Sequence, residues 1–139
     1  MRYSNKIIRY HLDVAEIQAS RSHATRLKVG SVIIRDDRIV STGRNGCVSG
    51  GSNICEYEKG GQLITKQDVI HAEANAILWA ARSGVPLDGC SIVTTHQPCM
   101  ECAKMIIQSG INEVYYQEKY RDDTGLLFLE SNNIKVMKV

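Results

Sequence analysis

The sequence carries almost no excess of either charge. Its 139 residues hold 17 Lys or Arg against 15 Asp or Glu, a formal net charge of +2. A balance this near zero argues against a chain that wraps duplex nucleic acid through a broad basic face. Aromatic rings are scarce too, with one Phe and one Trp, which leaves little stacking surface for single-stranded nucleic acid. Long apolar runs are missing. The longest, Ala76 to Ala81, has six residues, far short of the ~20 that span a bilayer. No long apolar stretch follows Met1 to Lys6, so no secretory leader is expected. The cysteine count is odd, at five, and without a leader a disulfide framework is not expected either. The expectation is a cytoplasmic chain, or host cytoplasm for a viral one, with no membrane and no nucleic-acid partner.

What is present is the make-up of one domain over residues 1–139. Hydrophobic residues make up 43% and charged residues 23%, the usual globular mixture. A chain of this length buries roughly two-thirds of its unfolded surface, so it can form a core without covalent staples. Ile7, Val14 and Ile17, with Leu12 and Ala15, recur at near-helical spacing and predict a helix over 5–22. Gly30 to Ile34 reads as a buried strand, Asp36-Asp37 as a turn and Ile39 to Thr42 as the returning strand. Residues 45–69 hold Gly46, Gly50, Gly51, Gly60 and Gly61 and read as one long loop, a length that is usually functional. The Ala-rich segment 72–82 reads as a helix, punctuated by Gly84 and Pro86. A strand follows over 91–95, then a helix opened by Pro98 and stopped by Gly110. A strand over 113–116, a helix over 124–132 and a strand over 135–139 complete the order. Helix-strand alternation after the hairpin implies right-handed crossovers and parallel strands. The expected fold class is α/β, a three-layer α/β/α sandwich around a five-stranded mixed sheet.

Two short motifs carry the chemistry. His71-Ala72-Glu73 opens one predicted helix, and Pro98-Cys99-Met100-Glu101-Cys102 opens the next about 25 residues later. One imidazole and two thiolates are ligands of borderline softness, suited to Zn2+. Three protein ligands leave a fourth position for water, as in catalytic rather than structural sites. The helix dipoles are expected to favour the thiolate forms of Cys99 and Cys102. Glu73 then stands beside the metal as a base for its water, whose pKa drops to about 7 when metal-bound. A redox dithiol would explain the C-x-x-C pair but leave His71 and Glu73 without a purpose.

These motifs resemble the cytidine deaminase superfamily, whose zinc deaminases carry the H-x-E and P-C-x-x-C pair. Within it the chain is most similar to the deoxycytidylate (dCMP) deaminase family. The likeness runs through Arg21-Ser22, Val29 to Ile33, Thr42 to Gly46, His71 to Ile77, Thr95 to Cys99, Cys102 to Lys104 and Tyr115 to Asp122. It implies a cytidine deaminase-like fold and zinc-assisted hydrolysis at C4 of cytosine, with Glu73 moving protons to ring N3 and the departing amine. dCMP would become dUMP, the precursor for thymidylate synthesis. The resemblance places Asn45 near the sugar, Tyr120 against the nucleotide, and Ser22 and Arg26 near the 5′-phosphate. The backbone N–H of Ala72 would donate to the pyrimidine carbonyl. It also implies a homo-hexamer switched on by dCTP and off by dTTP, with Mg2+ accompanying the triphosphate. Gly43, Arg44, Gly46, Trp79 and Arg82 match the effector region.

Three departures bear on these expectations. Arg44 stands where the family often has Tyr. Ala24 and Val69 stand where some relatives hold a second, structural zinc, so one zinc is expected, with His23, Cys47 and Cys55 as spare thiol and imidazole groups. Charge is also uneven: residues 1–44 hold nine Lys or Arg and four Asp or Glu, against eight and eleven in residues 45–139. The basic third is expected to face a phosphate, which leaves both dCMP and dCTP as acceptable substrates. The alternative from a different class is a deaminase of tRNA or single-stranded nucleic-acid bases.

Overall fold

A computed structural model describes residues 2–120 and 122–139. Arg121, in one of the segments that carry the resemblance, and Met1 lie outside the described residues. Helix α1 (Asn5–Ser20) begins where Ser4 accepts a hydrogen bond from the Ile7 N–H, the standard N-cap arrangement. Its apolar face, with Ile8, Leu12, Ala15 and Ala19 all buried, lies against the first strands. Strands β1 (Gly30–Arg35) and β2 (Arg38–Arg44) form the expected hairpin. Asp36 and Asp37 make its turn, both at positive φ, which Asp tolerates better than most residues. His11 is fully buried on α1, and its Nε2 lies 2.7 Å from Asp37 Oδ1. That contact ties the helix to the hairpin tip.

Helix α2 (Ala72–Ser83) ends at Gly84 in the left-handed conformation. It is followed by β5 (Ser91–His96), α3 (Met100–Gln108), β6 (Glu113–Glu118), α4 (Thr124–Ser131) and β7 (Lys135–Lys138). The main sheet has the order β2-β1-β5-β6-β7. β1 runs antiparallel to both β2 and β5, and β5, β6 and β7 run parallel. The five-stranded mixed sheet of the α/β/α sandwich is therefore present. Alternate residues serve opposite faces. Val32, Ile34, Val93 and Tyr115 pack with α1. Ile33, Ile92, Val114 and Tyr116 pack with Ala76 and Ala80 of α2, Ala103 and Ile106 of α3 and Leu126 and Leu129 of α4. Among the described residues no helix is long and apolar enough to cross a membrane.

Two differences from the sequence expectations matter for the site. The stretch 45–69 is not one loop: it contains a second, two-stranded sheet, β3 (Glu56–Lys59) paired with β4 (Gln62–Thr65). Gly60-Gly61, both at positive φ, is the two-residue turn that permits it. The flanking residues are mostly polar and exposed, so no hydrophobic alternation announced them. Pro98 does not open α3 either. Cys99 is the N-cap and the helix starts at Met100.

The close approach of sheet and helix demands glycine at two positions. A Cβ on Gly30 would meet the backbone of Ala15 and stand 2.6 Å from Ala19 N, and one on Gly43 would meet the backbone of Ala72 and stand 2.6 Å from Ala76 N. Backbone cannot step aside as a side chain can. Gly43→Ala is expected to destabilise the protein by roughly 1–3 kcal/mol, measured as a lower midpoint of thermal unfolding. An unchanged midpoint would mean that α2 can retreat from β2 at no cost.

Candidate active site

β2 and β5 point the same way with β1 between them. Their carboxyl ends release Asn45 and Gln97 at one edge of the sheet. The Gly46–Ile70 bridge, with hydrogen bonds of 3.0 and 2.8 Å, brings the start of α2 back to that edge. α3 starts there directly after β5. Two helix N-termini thus meet where ligands usually bind in such sheets.

His71 is the N-cap of α2 and Cys99 the N-cap of α3, and neither makes a side-chain cap hydrogen bond. Cys102 lies in the first turn of α3 and is buried. His71 Nδ1 stands 3.5 Å from Cys99 Sγ and 3.4 Å from Cys102 Sγ. The ligand atoms of the three residues lie within 4.8 Å of one another. Glu73, two residues into the helix path, is buried at 4% exposure and lines the same cleft as His71 and Cys99. Burial pushes its carboxyl up to about 7, against the opposing pull of its own backbone N–H and of His71.

The thiols behave differently from the simple dipole expectation. Cys99 is held down to about 4, by its hydrogen bond with Cys102 first and then, against burial, by His71. Cys102 is pushed up, by its hydrogen bond with Cys99 and by burial. His71 is raised by its hydrogen bond with Cys99. Position at a helix start therefore does not make both cysteines anionic. Two adjacent thiolates need a cation between them.

The cleft is also lined by Arg26, Thr65 and Tyr120. The Arg26 guanidinium approaches Thr65 Oγ1 at 3.3 Å and the Tyr120 hydroxyl at 3.5 Å. Its backbone is clamped as well: Glu56 Oε2 accepts the N–H groups of Thr25 and Arg26, each at 2.8 Å. The β3-β4 hairpin, unanticipated from sequence, thus supplies both the clamp and Thr65. Of the nine basic residues in the first third, only Arg26 lines this cleft. Arg9, for instance, is engaged with Asp13 and Glu16 on the outer surface.

Two expected substrate contacts have other partners. Ser22 is buried and does not line the cleft. Its hydroxyl donates to Asn45 O at 2.8 Å and accepts from Ala24 N at 3.1 Å. Asn45 does line the cleft, but Oδ1 accepts from Val29 N at 2.9 Å and Nδ2 donates to Leu27 O at 2.7 Å. Ala72 lines the cleft at the first turn of α2. Sequence reasoning missed Thr65, His96 and Gln97 among the lining residues. His96 and Gln97 sit between two recognised landmarks, Thr95 and Pro98, and adjacency was the available signal.

A second, larger cleft of about 690 Å³ lies behind Asn45, which lines both. Gly43, Arg44, Gly46, Trp79 and Arg82 all border it, together with His23 and Cys47. Trp79 is 55% exposed rather than packed in the core, with the Arg82 guanidinium 5.5 Å from its ring centre. Asn75 Nδ2 donates to Arg44 O at 2.7 Å, fixing the cleft wall to α2.

Residues 5–118 match the model of the cytidine and deoxycytidylate deaminase zinc-binding region. The chain belongs to this deaminase family. It is 43% identical over 114 residues to ComE operon protein 2 of Bacillus subtilis, covering 81% of this chain and 59% of that protein. It is 34% identical to the deoxycytidylate deaminase of Enterobacteria phage T4, covering 78% of this chain and 76% of that one. The crystal structure of dCMP deaminase from the cyanophage S-TIM5, in complex with dCMP and dUMP, superposes with a TM-score of 0.92 at 35% identity, covering 99% of this chain and 100% of that one.

The donor set fits the deaminase family's zinc. Tetrahedral zinc, with Zn–S of about 2.3 Å and Zn–N of about 2.0 Å, spaces a nitrogen and a sulfur ligand by about 3.5 Å. The two nitrogen–sulfur spacings found here, 3.5 and 3.4 Å, match that figure. Its double charge also balances two thiolates, which Cys99 and Cys102 cannot both sustain unaided.

Proposed function

We propose that residues 1–139 form a single zinc-dependent hydrolase domain that deaminates dCMP to dUMP, releasing ammonia. The observation that carries this is the triangle of His71, Cys99 and Cys102 beside a buried Glu73, in a cleft also lined by Arg26 and Tyr120. Bound zinc supplies Lewis-acid activation of the attacking water. His71, Cys99 and Cys102 hold that ion and leave one side open to the cleft. Glu73 takes one proton from the water and delivers it to ring N3, where it stays, then takes the second from the oxygen now on C4 and delivers it to the departing amine. A carboxyl near 7 both accepts and donates protons at neutral pH, which is what such a shuttle needs. The Ala72 N–H, free of a side-chain cap, holds the pyrimidine carbonyl. Arg26 takes the 5′-phosphate, for which a guanidinium is well matched, and Tyr120 lies against the nucleotide.

The second cleft is the proposed effector site. dCTP activates and dTTP inhibits there, with Mg2+ on the triphosphate, in a homo-hexamer. Arg44 and Arg82 supply positive charge to that cleft and Trp79 a stacking face. dCTP is a second candidate substrate, and dUMP would feed thymidylate synthesis in a cytoplasmic setting.

The deciding experiment measures rates on deoxycytidine, dCMP, dCTP and CMP, each with and without added dCTP or dTTP. Turnover is expected to be most efficient with dCMP, and to rise with dCTP and fall with dTTP. Equal efficiency on free deoxycytidine would remove phosphate recognition from the proposal.

A further inference from the structure

His96 closes β5 at the rim of the cleft. Its Nδ1 lies 2.8 Å from Thr95 Oγ1. Thr95 is buried, and the same oxygen accepts the Gly30 N–H at 3.2 Å. A hydroxyl has one proton to give. With Gly30 donating in, the acceptor near Thr95 Oγ1 for that proton is His96 Nδ1. Leaving the proton unbonded in a buried position would cost about 1–3 kcal/mol. Nδ1 is therefore the acceptor, and the ring carries its own proton on Nε2. Among the described residues Nε2 has no hydrogen-bond partner, and the ring is only half-buried. Thr95 thus fixes both the tautomer and the ring's orientation, and the one group left over is an N–H donor at the cleft.

We propose that His96 is a specificity-determining residue of this cleft, donating its Nε2–H to an uncharged oxygen of the nucleoside part of the substrate. The inference rests on the nucleotide deaminase reading above. Two observations separate His96 from the phosphate. Burial lowers its basicity, so the ring is neutral at neutral pH, whereas phosphate favours charged donors. Among the described residues the cation lining the cleft is Arg26, held by Thr65 and Tyr120. His96 instead stands three residues before Cys99, on the segment that carries a zinc donor. That is the side on which the base must lie.

The test uses the zinc-loaded enzyme, with metal content measured for every variant. His96→Leu is expected to raise KM by about 3- to 10-fold, the value of one neutral hydrogen bond, and by the same factor for dCMP and deoxycytidine. His96→Gln, which keeps an N–H donor, should recover most of the loss. Arg26→Ala should raise KM for dCMP by a larger factor than KM for deoxycytidine. A rise confined to dCMP in His96→Leu, no rise for either substrate, or a Gln variant as impaired as the Leu variant would each overturn the inference while leaving the deaminase reading intact. A wild-type chain that turns over neither substrate removes both. Nitrogen NMR of the imidazole gives a readout independent of activity: the Nε2–H tautomer is expected, and an Nδ1–H ring would overturn the proposal.

Discussion

Replacing Glu73 by Gln is expected to lower kcat by roughly 100- to 10,000-fold, the usual worth of a positioned general acid–base, while zinc content stays at the wild-type level. The amide has nearly the shape of the carboxylate, so the packing around this buried side chain is preserved. The Gln amide neither takes up nor releases a proton near neutral pH. Removing the charge also relieves the desolvation that pushes the carboxyl up to about 7, so the variant should be at least as stable as the parent at neutral pH. Loss of activity without loss of metal or stability separates a proton shuttle from a structural residue. A variant that keeps both its zinc and its rate would take Glu73 out of the chemistry and leave the triangle as a metal-binding module.

Cys102→Ala should act through the metal instead. Cys102 is fully buried, with its sulfur beside His71 and Cys99. Alanine leaves two donors where three stood. Loss of a partner that merely orients a ligand already weakens metal binding by about 10- to 100-fold. Loss of the ligand itself should exceed about 100-fold. Zinc retained after dialysis against a weak chelator, read by elemental analysis, should fall towards zero, and kcat with it. Thermal stability should fall too, since a ligand that binds only the folded state stabilises it by mass action. Prolonged chelation of the wild-type protein should reproduce both losses, and restored zinc should rescue the wild type but not the variant. Full zinc occupancy in the Ala variant would mean that the ion is held elsewhere.

These two outcomes bear on residues that were legible one segment at a time. His71 and Glu73 sit two apart at a helix start and Cys99 and Cys102 three apart at another, and local rules place the first start and bring the second to within two residues. The residues that the resemblance matched to an effector region were singled out through it alone, and the structure draws Gly43, Arg44, Gly46, Trp79 and Arg82 around one cleft. The β3-β4 hairpin was not read, although Gly60-Gly61 is a recognisable turn pair. Its strands lack an apolar face because they are held by Glu56 bonding Thr25 and Arg26 rather than by a core of their own.

The sequence by itself determined the candidate ligand types, the carboxylate beside them, the start of α2 and the α/β order of elements outside residues 45–69. Each of these follows from spacing within a few residues, because helix caps, turns and strand alternation are short-range. Only the tertiary structure decided which polar groups are left over for a ligand. Ser22, expected near the phosphate, is buried with its hydroxyl bonded to Asn45 O, whereas Asn45 lines the cleft with one amide hydrogen given to Leu27 O and one oxygen lone pair taken by Val29 N. Arg26 becomes a cleft residue through Thr65 and Tyr120, 39 and 94 positions away. His96 is poised because Gly30, on another strand, occupies the Thr95 oxygen. A hydrogen-bonding group is available to a ligand only when long-range packing has not already satisfied it, and no spacing rule carries that information.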